Sequence, residues 1–479
     1  MLDTILRLSV SGGLQLLSVA FCSYVVIWVV YTRFFHPLSK FPGPFLASVT
    51  DWWYFFSLRL KFIDNHRYTL HRRYDTPACR AVRIRPNAVS ISDPRAMDIA
   101  FGHHPLWVKS EFYESFNPHI SGGRELFSMR SGADHGPLKR IVGPLFSVKT
   151  MTDYEPCVDR TIASFRRRLD LASQGGQTVA LPRLFSQYTL DVIGEVFWGK
   201  EGGFGGLVND VDYKSWSWML SNMIGPLSVT GYAPRGMRTL YLLTQLASSS
   251  KVRGGISSHE KLVQEAKDAV SQKVRERQRR KAGDPEKQST AGAGTPRSLM
   301  DRMLDIVDET AHKEGPQKFT EGDTAALMYD MLMGGFDTTS IALQHAFYNL
   351  LRNPHYFAKL RTEIDAAYAD GTLPDTGELR YLDTLKLPFL GACIQESWRL
   401  TMGVFGFPRT VPPGGCALPD GTTLPGGVDV TLNPDVVHFA TEIFGERPEE
   451  YIPERWLVDT NVKDQEAEKE RVRLMEHYF

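Results

Sequence analysis

The distribution of apolar positions along the chain opens with a block. No charged residue occurs between Arg7 and Arg33, and Leu14–Tyr31 is almost wholly apolar. As a helix those 25 uncharged residues would span about 37 Å at ~1.5 Å per residue, enough for a hydrocarbon core of ~30 Å. Trp28, Tyr31, Phe34 and Phe35 cluster toward one end, where amphipathic rings favour a membrane interface. The apolar run is long and lacks a clear small-x-small cleavage site, so residues 1–35 read as an uncleaved anchor rather than a signal peptide. Arg33 and Lys40 after the block, against Arg7 before it, lean the following body toward the cytosol. Pro37, Pro42 and Pro44 then predict a stiff, non-helical hinge over 36–49.

From residue 50 to 479 the pattern is mostly helical with a small β component. Ala81–Arg85 and Ala88–Ser92, around Pro86-Asn87, read as a hairpin. Helical spacing covers Tyr154–Leu171, Leu184–Trp198 and His259–Arg280, and the Gly-, Ser- and Pro-rich stretch 282–296 reads as a loop. A long helix opens at Thr320, whose spacing to Asp323 is that of a capping box, and ends at Asn353-Pro354. At about 50 Å it is long enough to cross the middle of a fold. Pro354–Ala369 and Leu385–Met402 give two more helices, and 408–432 gives short strands broken by Pro-Gly turns.

Composition narrows the function. Hydrophobic residues at 42% and charged residues at 23% exclude a disordered chain. Equal counts of Lys plus Arg and Asp plus Glu, 55 each, leave no net field toward nucleic acid. The basic run Arg275, Arg277, Arg279, Arg280 and Lys281 suits the C-terminal end of a helix dipole. Five cysteines (Cys22, Cys79, Cys157, Cys393, Cys416) make neither a disulfide framework nor a C-x-x-C pair. Hydrolase and nucleotide-binding signatures are missing, and Gly202–Gly206 reads as a flexible turn without dinucleotide spacing.

Two patterns carry chemistry. Gly334-Gly335-Phe336-Asp337-Thr338-Thr339 lies in the middle of the long helix, where each glycine costs ~1 kcal/mol relative to alanine. Close approach of a flat ligand would explain them, as would a hydrogen-bond ladder opened by Thr338 reaching the Gly334 carbonyl. Helix–helix packing through small residues is the alternative. An acid beside an alcohol in such a groove can relay protons. Glu396 and Arg399 face one another at i and i+3 within an apolar helix. A buried pair there needs further partners, and Pro453-Glu454-Arg455-Trp456 offers a second guanidinium.

Taken together and in this order, the motifs resemble the cytochrome P450 family of haem-thiolate monooxygenases over essentially the whole chain. The resemblance rests on the anchor and proline hinge, G-G-x-D-T-T at 334–339, E-x-x-R at 396–399, Phe407–Gly415 and P-E-R-W at 453–456. Val89–Pro94 and Val411–Gly415 look most like the fungal, pisatin-demethylase-like members. The implied fold is mainly α with small β-sheets, a P450-like catalytic domain over 50–479. By resemblance Thr338 and Asp337 serve proton delivery for O–O cleavage, with Gly334 and Gly335 against the cofactor. Glu396, Arg399 and Arg455 form the structural triad, and Arg409 pairs with a haem propionate. His135 and Lys139 stand where the family's W-x-x-x-R helix has Trp and Arg, losing the bidentate fork.

The implied cofactor is haem b. The implied partners are NADPH-cytochrome P450 reductase and an apolar small molecule of fungal secondary metabolism, at the endoplasmic reticulum membrane with a cytosolic body. Positions Pro105–Ser121 and Trp216–Tyr232 are the expected substrate-lining segments. Family members carry an F-x-x-G-x-R-x-C-x-G loop with the axial cysteine shortly after P-E-R-W, where these residues end at Phe479. The expectation is therefore a chain truncated before that loop, the last helix and the terminal strands. It leaves two readings, the monooxygenase and a non-catalytic remnant that cannot hold haem as thiolate.

Overall fold

A computed structural model describes residues 2–479 except 61–62, 103–106, 121, 235, 283–295, 376–378, 402–405, 407 and 433, and gives backbone alone for 2–14 and 63–68. Residues 283–295 of the expected loop at 282–296 and part of the 105–121 segment thus lie outside the described residues. The chain divides into two units, one of Met1–Ser110, Tyr232–Met237 and Gly403–Ala440, the other of Glu111–Gly231, Arg238–Met402 and Thr441–Phe479.

In the first unit an N-terminal helix, Leu2–Val30, continues as one π-helical turn, Tyr31–Phe35. Within it Gln15–Phe35 is long and apolar enough to cross a membrane. The π-turn closes with the amide of His36 donating to the Tyr31 carbonyl at 2.8 Å. The next donor in that register would be residue 37, a proline without N–H. The orphaned Thr32 carbonyl instead accepts from Arg83 Nη1 at 2.7 Å, and Trp28 Nε1 donates to the Val49 carbonyl at 2.8 Å. The expected non-helical hinge is corrected in one respect: Phe45–Val49 is helical, with Pro44 at its N-cap, a position whose missing N–H costs nothing.

The expected hairpin is β1 (Ala81–Arg85) against β2 (Ala88–Ile91), with Ala81 opposite Ile91. Val108–Lys109 is β3, Arg409–Thr410 β4, Cys416–Ala417 β5, Thr423–Leu424 β6 and Asp429–Leu432 β7. The main sheet runs β1-β2-β7-β4-β3, with β2 and β7 parallel, while β5 and β6 pair separately. Leu38, Phe41, Val89, Ile91, Val430 and Leu432 bury its core face.

The second unit is helical around Glu321–Arg352, which opens with the Thr320–Asp323 capping box and ends where Pro354 starts the next helix. Leu327, Leu332 and Phe336 of this central helix share one core with Leu190 and Ile193 (helix Leu181–Val196), Met219 and Met223 (Trp216–Tyr232), Leu262 and Ala266 (Ser250–Lys281) and Met303 (Leu299–Glu309). Helix Ser250–Lys281 begins nine residues before the His259 start that spacing predicts. Gly254 hides the extension: a Cβ there would lie 2.6 Å from the Trp218 ring, so the glycine serves close packing.

Gly202–Gly206 opens with the expected turn, tied to a buried carboxylate. Gly202, Gly203 and Gly205 take φ of +75°, +68° and +75°, and the turn they shape aims the amides of Phe204, Gly206 and Leu207 at the buried carboxylate of Asp191. It accepts from Phe204 N at 2.9 Å, Gly206 N at 3.0 Å and Leu207 N at 2.8 Å. Positive φ is open to glycine at little cost, and consecutive amides in such a turn form an anion nest.

Candidate active site

The central helix carries two unlike faces. Leu332, Phe336 and Ser340, spaced by four, are fully buried, and Phe336's carbonyl accepts from Thr189 Oγ1 at 2.9 Å. Gly334 and Thr338, also spaced by four but turned away from that row, are exposed. A Cβ built on Gly334 meets nothing within 4 Å, whereas one on Gly335 reaches Ile193 Cδ1 at 3.0 Å. The two glycines thus have different reasons: Gly335 for packing, Gly334 beside open space. The Thr338 hydroxyl donates to the Gly334 carbonyl at 2.5 Å. The opened ladder is not found, for the helix runs uninterrupted through 334–339. Desolvation raises the Asp337 carboxyl above its ordinary range, which favours a protonated acid next to the alcohol.

Glu396 sits on Pro388–Leu400 with no exposed surface. Its carboxylate accepts from Arg399 Nε at 2.8 Å and Nη2 at 2.9 Å, from Arg455 Nε at 2.9 Å, from Ile452 N at 3.0 Å and from Trp456 Nε1 at 2.8 Å. Five donors on one carboxylate are what a buried ion cluster needs to offset its desolvation. Arg455 also donates to the Phe444 and Arg447 carbonyls. Trp456 was invisible as a member of this cluster from spacing alone, although it is the next residue in P-E-R-W.

His135 and Lys139 lie one turn apart on helix Gly132–Val142, with Lys139 exposed and His135 half-buried. Arg409 belongs to the first unit. On β4 it stands directly opposite Lys109 of β3, and its guanidinium lies 5.1 Å above the Phe101 ring. Trp107, one residue before β3, keeps a buried indole N–H without a partner among the described residues. Sequence reasoning missed Lys109, since only strand pairing brings it to Arg409.

Two of the features the resemblance assigns to haem fit such a group. The open Gly334–Thr338 face gives a flat ligand room against helix backbone, and the cross-strand pair Arg409–Lys109 gives donors of the kind a carboxylate takes. None of Cys79, Cys157, Cys393 and Cys416 sits in surroundings that favour a thiolate. Burial raises the thiol of Cys393 to about 11, and raises those of Cys79, Cys157 and Cys416 as well. A ligating thiolate requires the opposite shift. Cys22 lies in the N-terminal apolar helix. Among the described residues no cluster of three His, Cys, Asp or Glu side chains could hold a metal ion.

The cytochrome P450 profile matches residues 46–473. The chain belongs to the cytochrome P450 family. Cytochrome P450 monooxygenase gsfF of Penicillium aethiopicum is 29% identical over 445 residues, 92% of this chain and 84% of that protein. Monooxygenase cicH of Emericella nidulans is 28% identical over 91% of this chain and 82% of its own length. A pisatin demethylase of Fusarium vanettenii is 26% identical over 94% and 82%. The P450 fold is matched by a crystal structure of a cytochrome P450 (CYP102L1) with a TM-score of 0.61 at 16% identity, covering 88% of this chain and 85% of that one. As in those relatives, the chain is a P450 of mainly helical fold with small sheets.

Proposed function

We propose that this P450 is a membrane-anchored monooxygenase that oxidises an apolar small molecule of fungal secondary metabolism. The observation that supports this reading is the exposed Gly334–Thr338 face on a helix whose other face is buried. Haem b, when bound, supplies the dioxygen chemistry of the family. The chain's own residues do the rest. Gly334 leaves room beside the helix. Thr338 holds a proton at Oγ1 and, with its hydrogen donated to Gly334, turns its lone pairs to the open side. Asp337, its carboxyl raised by burial, is the adjoining proton store. Arg409 is the propionate partner, aided by Lys109; His135 and Lys139 are further cations for a carboxylate. Glu396, Arg399 and Arg455 hold the helix rather than touch the reaction.

Electrons come from NADPH through cytochrome P450 reductase on the cytosolic face of the endoplasmic reticulum, to which the Gln15–Phe35 helix ties the body.

A second reading, a chain that holds no haem as thiolate, is favoured by the raised thiols of the four cysteines outside the anchor. The absorbance of the reduced, carbon-monoxide-bound protein separates the two. A thiolate-type Soret band supports the monooxygenase; an apoprotein, or a band of non-thiolate haem, supports the second reading for these residues.

A further inference from the structure

The anchor meets the body at a neck without acids. No Asp or Glu lies between Asp3 and Asp51, and Asp51 is already bonded to Arg85 at 2.8 Å. The neck nevertheless holds several cations. Arg83, only 1% exposed, donates Nη1 to the Thr32 carbonyl and Nη2 to the Pro86 carbonyl, both at 2.7 Å. Its Nε has no partner among the described residues. The bond to Thr32 sets this guanidinium beside the next residue, Arg33, which is half-buried. Burial and Arg33 together pull the Arg83 guanidinium down to about 10, and burial with Arg83 lowers His36. Lys40, exposed, makes only a ring contact with Phe41 at 5.5 Å among the described residues.

Two guanidiniums side by side, one of them desolvated, repel each other and leave a net positive field. Carbonyl oxygens satisfy the donors of Arg83 but do not neutralise its charge. A counter-anion at this place would, and the surroundings say which. Phe34 and Phe35, about 70% exposed, follow Arg33 at the end of an apolar helix long enough to cross a bilayer. The site therefore lies at the depth where aromatic rings and lipid headgroups meet.

We propose that the neck binds the headgroup of an anionic phospholipid, its phosphate taken by Arg33 and Lys40 under the field of buried Arg83. The site rests on the reading of the N-terminal helix as a membrane anchor. It would fix the body's tilt on the bilayer by pairing the latch at Thr32–Arg83 with a lipid charge.

The test uses the full chain reconstituted in vesicles of phosphatidylcholine mixed with phosphatidylserine. Lipid retained after detergent extraction is counted by mass spectrometry for wild type and for an Arg33→Gln/Lys40→Gln double variant, which leaves the Arg83 latch intact. Phosphatidylserine should be enriched roughly fivefold per cation, the effect of ~1 kcal/mol per Lys or Arg near an anionic surface, and fall to the bulk ratio in the variant. No enrichment, or enrichment equal in the variant, overturns the site. Loss of the enrichment in added inorganic phosphate, at constant ionic strength, would make it a simple anion site and overturn the lipid assignment. Release of the wild type by alkaline carbonate would instead overturn the anchor reading on which the site depends.

Discussion

Thr338 binds the carbonyl of Gly334 one turn back on the central helix, and beside Gly334 there is open space where a side chain would stand. Helix propensity and ligand room then pull in opposite directions. We expect Gly334→Ala to raise the stability of the haem-free chain by up to ~1 kcal/mol, because the new Cβ meets nothing. The same change should lower haem uptake on titration with hemin. Gly335→Ala, which presses on Ile193 at 3.0 Å, should gain little or lose stability. Denaturant midpoints of the two variants check the sign, and a destabilised Gly334→Ala would remove the open face from the argument.

Thr338→Ala removes a local hydroxyl–carbonyl bond on an exposed face, so the fold should shift by less than ~0.5 kcal/mol. In haem-loaded protein the fraction of NADPH ending as hydrogen peroxide should rise. Peroxide yield per NADPH is the readout, and an unchanged yield would take Thr338 out of proton handling.

The long helix, its capping box, the hairpin and the Glu396–Arg399 pair were legible because each is written in local spacing: a cap three residues from its partner, an ion pair one turn apart. Thr189 on the Phe336 carbonyl, Lys109 opposite Arg409 and the Thr32–Arg83 latch were not, because each joins segments distant in sequence through tertiary contact. The glycine run at 202–206 was legible as a turn, but its tie to the Asp191 carboxylate was not, for the same reason.

The cluster around Glu396 makes a prediction of different size. Glu396→Gln keeps the shape but leaves two buried guanidiniums facing a neutral amide, a loss of the ~3–5 kcal/mol class for breaking a buried pair. Arg455→Lys keeps the charge but gives up the fork that reaches Glu396 and the Arg447 carbonyl, and should cost less, about 1–2 kcal/mol. Urea unfolding followed by circular dichroism ranks them; equal, small effects would mean that the cluster contributes little to the fold.

His259 should make stability fall with acid in a defined window. Its Nε2 lies 2.7 Å from the Tyr329 hydroxyl, and burial first, His119 second, push its pKa down to about 4 from 6.5. The folded state then binds fewer protons than the unfolded one. The contribution is intact above pH 6.5 and is lost progressively between pH 6.5 and 4, up to ~2–3 kcal/mol. Depressed carboxylates such as Asp305 lose stability only lower, near and below their ordinary range. Replacing His259 with Gln should therefore flatten the unfolding free energy between pH 6.5 and 5, and an undiminished slope in that variant would assign the acid loss elsewhere.

The nest around Asp191 permits a test in which backbone conformation is held constant and only sterics change. Gly202 and Gly203 share nearly the same left-handed φ, +75° and +68°, so alanine pays the same ~1–2 kcal/mol at either position for leaving glycine's conformational freedom. Around Gly202 a Cβ meets nothing within 4 Å, while at Gly203 it would stand 2.4 Å from the Asp191 carbonyl oxygen, a backbone atom that cannot swing aside. Gly203→Ala must therefore push the turn off helix Leu181–Val196 and loosen the three amides from the carboxylate. We expect Gly202→Ala to cost about 1 kcal/mol and Gly203→Ala at least ~2 kcal/mol more by urea denaturation. Equal costs would mean that the turn is free to move, the very flexibility its composition suggests.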